Sequence, residues 1–273
     1  MDTSFETVGP ISLYVELGGG SLDVHADEVT ETTIHLDGPD ADETVVEQRG
    51  DRVVVIAPRR RAGFFMASSE VRVTARIPVD SELVTKTGSA DITATGRYGT
   101  VRVKTGSGEV RVAELTGNAT VETGSGDVTI DSSLGHLRVR AGSGDVAVDR
   151  AAGPTVVATG SGDIALGRTE EDTVLKSGSG DVLVKDAHTG LSASTASGDL
   201  RVGLFRVGSL KAKAVSGDVA VGVPAGIPVW TDITAISGAI SSDLDGAGRP
   251  SEGQDFIELR ATTVSGDIRL EQR

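Results

Sequence analysis

Thr105-Gly106-Ser107-Gly108-Glu109-Val110 is written again, with small changes, as Thr123-Gly124-Ser125-Gly126-Asp127-Val128 and Ala141-Gly142-Ser143-Gly144-Asp145-Val146. It recurs as Thr159 to Ile164, Ser177 to Val182 and Thr195-Ala196-Ser197-Gly198-Asp199-Leu200. Each acidic residue follows the previous one by 18 positions, and the same step leads back to Asp91 in Thr87-Gly88-Ser89-Ala90-Asp91-Ile92. A fixed period of this length means one structural unit laid repeatedly on itself.

One period reads as two strands and two turns. Val101 and Val103 alternate with Arg102 and Lys104, the pattern of a strand with one buried face. Gly106-Ser107-Gly108 breaks it with a tight turn. Val110 and Val112 resume the alternation, and Gly117 marks a looser turn that recurs at Gly99, Gly135 and Gly153, with Glu171 in the next slot.

Aligned by period, Val103, Val121, Val139, Val157, Leu175 and Ala193 form one column. Val110, Val128, Val146, Ile164, Val182 and Leu200 form another, and Val112, Ile130, Val148, Leu166, Val184 and Val202 a third. Aliphatic, mostly β-branched columns suit an interior between pleated sheets. A fourth column of small hydroxyls, Thr87, Thr105, Thr123, Thr159, Ser177 and Thr195 with Ala141 among them, suits a corner bonded to turn backbone. A hairpin meander would pair sequence neighbours. The likeness one full period apart favours parallel stacking. The expected fold is therefore all-β: a single-stranded β-solenoid, or parallel β-helix, with two or three short parallel sheets, 18-residue coils and irregular capping coils at both ends.

The chain of 273 residues then reads as one domain in three stretches: 1–82 irregular with a hairpin, 83–221 regular, 222–273 irregular. Ile11, Leu13, Val15 and Leu17 alternate before Gly18-Gly19-Gly20, as an atypical first coil. Val53 to Ile56 answers Val45 and Val46 across Arg49-Gly50-Asp51-Arg52, a hairpin turn with solvated charges rather than an integrin-type motif. Arg59-Arg60-Arg61 precedes Phe64, Phe65 and Met66, a stretch expected to fold over the first coil as a cap, with partner or membrane docking as the alternative. After Asp199 the period lengthens: Asp218 follows by 19, Ala239 takes the acidic slot, and the last phrase is Ser265-Gly266-Asp267. Trp230 and Phe256 are expected in the C-terminal cap.

These residues carry a resemblance. The repeated Ser-Gly-Asp-Val phrases, Ile77-Pro78 ahead of them and the closing Thr262-Thr263-Val264-Ser265-Gly266-Asp267-Ile268 resemble the putative-adhesin β-strand-repeat family of bacteria, a domain of unknown function of the forty ninety-seven type. The resemblance implies a β-solenoid and supplies no catalytic residue.

Composition narrows function. Aromatics are 3% and glycines number 36, so the core is thin and leaves little room for a deep pocket. Cysteine is absent, which excludes disulfide and thiol chemistry. No run approaches 18 apolar residues, so no integral membrane segment is expected. The start has no basic stretch leading into an apolar run, so a cytoplasmic protein is expected. A net charge of −14 argues against nucleic acid as partner.

The candidate site is the acidic column: Asp91, Glu109, Asp127, Asp145, Asp163, Asp181, Asp199 and Asp218. Carboxylates at strand spacing, roughly 5 Å, repel by about 0.8 kcal/mol per pair in water. The expectation is that each is offset by hydrogen bonds from the Gly-Ser-Gly amides, which form a small anion-holding nest. Bound calcium is the alternative, although the calcium-binding β-roll repeats every nine residues. His25, His35, His136 and His188 are scattered, the last two in turns, and no nucleophile elbow or phosphate loop is written. The sequence thus assigns no catalytic, cofactor-binding or metal residue. It points to a non-catalytic structural or protein-interaction module with an unknown protein partner. A calcium-binding solenoid stands as first alternative and a carbohydrate-active β-helix enzyme as second.

Overall fold

The computed structural model describes residues 1–58, 70–245 and 253–273. The proposed cap at residues 59–66 lies outside them. The chain divides into two compact units, Met1–His136 and Leu137–Arg273.

The first unit holds β1 (Asp2–Glu6), β2 (Ser12–Leu17), β3 (Gly19–Asp27), β4 (Glu31–Asp37), β5 (Val45–Arg49), β6 (Arg52–Ile56) and β7 (Glu70–Pro78). It continues with β8 (Glu82–Thr87), β9 (Asp91–Tyr98), β10 (Val101–Thr105), β11 (Val110–Leu115), β12 (Ala119–Thr123) and β13 (Val128–Ser133). One sheet runs β1-β4-β7-β3-β9-β11-β13 and the other β5-β6-β2-β8-β10-β12. All pairings are parallel except β1–β4, β4–β7 and β5–β6.

The second unit holds β14 (Leu137–Ala141), β15 (Val146–Ala151), β16 (Thr155–Ser161), β17 (Ile164–Thr169), β18 (Thr173–Ser179), β19 (Val182–Ala187) and β20 (Leu191–Ser197). Then come β21 (Leu200–Phe205), β22 (Gly208–Ser216), β23 (Val219–Val223), β24 (Val229–Ser237), β25 (Ile240–Ser242), β26 (Ile257–Ser265) and β27 (Ile268–Gln272). Its sheets run β15-β17-β19-β21-β23-β27-β25 and β14-β16-β18-β20-β22-β26-β24, parallel throughout.

These sheets correct the expected single-stranded β-solenoid. Each repeat gives one strand to each of two parallel-dominated sheets, with antiparallel strands added in the first unit. The likeness at 18 residues is a sheet register: Val103 lies opposite Val121, Val110 opposite Val128, and Leu175 opposite Ala193. Inward rows from both sheets are buried together; Val103, Val112, Val157 and Leu166 are all at most 2% exposed. A column of β-branched side chains therefore packs at the spacing of parallel strands, about 4.8 Å.

Stacking order departs from chain order near both termini. In the first unit β2 and β3 lie between β6/β7 on one side and β8/β9 on the other. In the second unit β26 and β27 lie between β22/β23 and β24/β25. The 19-residue step from Asp199 to Asp218 keeps chain order, and only the longer steps beyond it cross this rearrangement. The phrase ending at Asp267 stacks next to that of Asp218, and the phrase at Ala239 is outermost. The hairpin across Arg49–Arg52 forms, with Arg49 opposite Arg52.

Trp230 and Phe256 do not close a core. They are 51% and 46% exposed. Trp230 sits under the guanidinium of Arg260, which lies 5.5 Å from its ring centre. The first unit does bury a large aromatic. Tyr98 is fully buried, its hydroxyl donates to the Val24 carbonyl at 2.8 Å, and burial pushes its phenol well above the usual range.

Candidate functional site

Parallel stacking brings each acidic residue beside its counterpart one repeat away. The contact that results is not the expected nest. The backbone N–H of Asp163 donates to Asp145 Oδ1 at 2.8 Å, that of Asp181 to Asp163 Oδ1 at 2.8 Å, and that of Asp199 to Asp181 Oδ1 at 2.8 Å. Asp218 donates to Asp199 at 2.9 Å, Asp267 to Asp218 at 2.8 Å, and Ala239 to Asp267 at 2.8 Å. In the first unit Glu109 donates in the same way to Asp91 at 2.9 Å.

Each rung is two-way. While Asp199 N–H donates to the Asp181 side chain, Val182 N–H donates to the Asp199 carbonyl at 2.8 Å. The Asp side chain supplies an acceptor at the corner where the chain enters the strand. A charged acceptor for an N–H is among the stronger hydrogen bonds, and it offsets repulsion between stacked carboxylates. Glutamate is one methylene longer, and Glu109 instead pairs with Arg111.

The ladder also explains Ala239. Each ladder aspartate of the second unit receives an N–H from the repeat beyond it. Ala239 lies in the outermost repeat, where no further rung follows among the described residues. A carboxylate there would face its neighbour's charge with no N–H to receive.

The hydroxyl column does bond turn backbone, in two ways. Thr105 and Thr123 accept from the N–H of Gly108 and Gly126 in their own turns, at 3.2 and 2.9 Å. Thr159, Ser177 and Thr195 instead donate to the carbonyls of Gly144, Gly162 and Gly180 in the preceding repeat, at 3.2, 3.1 and 3.0 Å. The glycines between are held by close approach. A Cβ on Gly126 would stand 2.0 Å from the Gly108 carbonyl oxygen.

The histidines remain apart. His25 meets Thr95 at 2.8 Å, and His35 meets Asp2 at 2.6 Å and draws its carboxyl below the usual range. His188 Nε2 lies 3.2 Å from Asp186 Oδ2, and Arg206 donates to both oxygens of the same carboxylate at 2.7 and 2.9 Å. This is the nearest approach to an acid–base cluster, and sequence spacing did not single it out. Asp186 and Arg206 meet only because the looser turns stack, as Asp186 lies opposite Leu204 in the register. The Arg206 hydrogen bond, with a smaller part from His188, holds the Asp186 carboxyl below its ordinary value. A carboxylate held ionised by a bidentate guanidinium is a weak proton acceptor.

Asp199, Asp218 and Asp267 border a hollow of about 50 Å³ together with Arg201 and Arg269. Among the described residues no three His, Asp or Glu side chains stand close enough to hold a metal ion. No described helix is long and apolar enough to cross a membrane.

A "putative adhesin" of Bacteroides fragilis NCTC 9343 aligns over 99% of this chain and 96% of its own at 11% identity and TM-score 0.41. A "putative lipid binding protein" of Parabacteroides distasonis ATCC 8503 aligns over 99% and 96% at 12% identity and TM-score 0.46. A "putative adhesin" of Parabacteroides merdae ATCC 43184 aligns over 100% and 95% at 11% identity and TM-score 0.29. Likenesses this distant carry no argument about what the chain binds. No curated protein matches it. The family described as Toastrack DUF4097 matches twice, over residues 16–173 and 134–271, which together span nearly the whole length. The chain belongs to the Toastrack DUF4097 family.

Proposed function

We propose that the chain is a non-catalytic interaction module that works inside the cell, presenting flat sheet faces and a charged ladder to a partner. One observation carries this. The polar groups that a catalyst would gather in one hollow are instead spread one per repeat, and the ladder carboxylates already receive backbone N–H groups. Catalysis needs a positioned acid or base with a matched pKa, and the Asp186 cluster is tuned away from that role.

The test is turnover of acidic polysaccharides, polygalacturonate and alginate, with and without calcium, followed by absorbance of unsaturated products. No rate above buffer is expected. A rate that Asp186→Asn and His188→Ala each abolish overturns the reading. Melting curves on the same samples address cations: a rise in melting temperature with calcium that a chelator reverses overturns the non-metal part.

A further inference from the structure

The two sheets of the second unit differ in charge. One carries the six ladder carboxylates Asp145, Asp163, Asp181, Asp199, Asp218 and Asp267 along the entry to its strands. The other, β14-β16-β18-β20-β22-β26-β24, turns alternate residues outward. Its outward cations are Arg138, Arg140, Lys176, Lys211, Lys213 and Arg260. Only Glu258 and Asp232 oppose them on that face. Arg260 pairs with Glu258 at 2.7 Å, while the other five cations have no ion pair among the described residues. An excess of positive charge thus lies on one flat face of a chain whose net charge is −14.

The same face carries apolar groups that solvent does not explain. Val215, Val264 and Ile236 occupy one outward row on three neighbouring strands and are 55%, 41% and 72% exposed. The equivalent slot in earlier repeats is Gly160, Gly178 and Ala196. Trp230 lies exposed on the same face of β24. Cations beside an exposed tryptophan and an aliphatic row make a surface that seats at a lipid interface, with charges at the headgroups and apolar groups just below them.

We infer that the outward face of this sheet docks on an anionic lipid bilayer. The inference rests on the reading above, that the chain binds rather than transforms its target. Screening resolves the conflict with overall charge. The ladder lies three residues beyond the aliphatic row, past the bend at Gly217 and so at most about 10 Å away, and farther from Lys211 and Lys213. At physiological salt the screening length is about 8 Å, so a bilayer feels mainly the face it touches. Nucleic acid would use the cations. It would leave the aliphatic row unused and find a single aromatic rather than a stacking platform.

The test is co-sedimentation of the full chain with vesicles of phosphatidylcholine, alone or with about 30 mol% phosphatidylglycerol, the latter standing for the anionic leaflet. The chain is expected to bind only the anionic vesicles, and less as salt is raised. Lys211→Glu with Lys213→Glu is expected to lower binding at least tenfold, since each basic residue near such a surface contributes about fivefold. Ile236→Asp is expected to lower it several-fold. Lys185→Glu, outward on the other sheet, is expected to leave it unchanged. All variants should keep the parent melting temperature.

Absence of binding to anionic vesicles overturns the inference, as does equal binding to neutral ones. Equal loss with Lys185→Glu would show a net-charge effect and overturn it too. Tighter binding to an oligodeoxynucleotide, indifferent to Ile236→Asp, would replace the bilayer by a polyanion. The turnover assay separates the two readings: failed sedimentation without turnover removes the bilayer alone, while turnover removes the module beneath it.

Discussion

The outermost strands of the two units are finished differently. In the first unit β7 receives β4, and β4 receives β1, both antiparallel, while β6 receives β5. Alternation survives there: β7 buries Val71, Val73, Ala75 and Ile77, and β4 buries Ile34 and Leu36. In the second unit no described strand pairs with the far side of β24 or β25. The residues of β24 that align with the buried Ile257, Leu259, Ala261 and Thr263 are exposed or half-buried, and β25 is exposed throughout. An edge strand keeps its buried face only when something further covers it. Reversing direction is also a way to end a parallel stack, because an antiparallel strand does not reproduce the register that invites another repeat.

The largest expected difference tests that contrast directly. Ile34, 1% exposed on the antiparallel strand β4 between β1 and β7, should cost about 2–5 kcal/mol as Ile34→Ala, the range for a buried aliphatic truncation. Ile236, 72% exposed, should cost less than about 0.5 kcal/mol as Ile236→Ala. Urea denaturation midpoints of the two variants measure the gap. An Ile236→Ala cost near that of Ile34→Ala would mean the edge of the second unit is covered in solution, and the contrast would fail.

A smaller effect is expected at the ladder, which sharpens the same contrast by separating interior rungs from the last one. Asp181→Ala removes the acceptor of the Asp199 N–H, a loss of about 0.5–1.5 kcal/mol. Relief of repulsion from neighbouring carboxylates returns about 0.8 kcal/mol per neighbour in water. The net change should be within about 1 kcal/mol. Asp181→Asn keeps an acceptor oxygen and removes the charge, so it should be the more stable of the two variants. Asp267→Ala frees only the Ala239 N–H of the outermost repeat. Amide exchange should quicken at Ala239 and stay unchanged at Asp199. If Asp181→Asn were the less stable variant, the side-chain acceptor would not be stabilising the Asp199 rung.

Much of this architecture was legible because parallel stacking copies itself into sequence. Val103, Val121 and Val139 each meet the same surroundings, so each is the same residue. Stacking order near the termini was not legible. Inserting β26 and β27 between β22/β23 and β24/β25 leaves every repeat chemically plausible, and only the lengthened spacing and Ala239 in place of aspartate betray it. The single-stranded description failed for a related reason. Periodicity reports what lies one repeat away and is silent on how many sheets the strands form. The acidic column was read correctly as a column and wrongly as a set of nests. The acceptor role depends on an N–H from another repeat, a contact absent from any local phrase. The Asp186–His188–Arg206 cluster was missed because its members lie at or just past the ends of β19 and β21, outside the repeated columns.

The smallest expected effect concerns that cluster and its dependence on pH. Asp186 is held below its ordinary carboxyl range by the Arg206 hydrogen bond first, with a lesser part from His188. A carboxyl with a depressed folded value lends stability that is present above its unfolded range and is lost as pH falls through the lowered value. Arg206→Ala should therefore raise the Asp186 titration midpoint toward the ordinary range, lower stability at neutral pH and make the loss of stability on the acid side shallower. His188→Ala should move it the same way by less. Both groups are partly exposed, Arg206 46% and Asp186 26%, so salt should shrink both shifts. A carbon-13 titration of the Asp186 carboxyl reads the midpoint directly. A midpoint unmoved by Arg206→Ala would mean the guanidinium leaves the carboxylate in solution, and the stacked turns would then be joined by backbone alone.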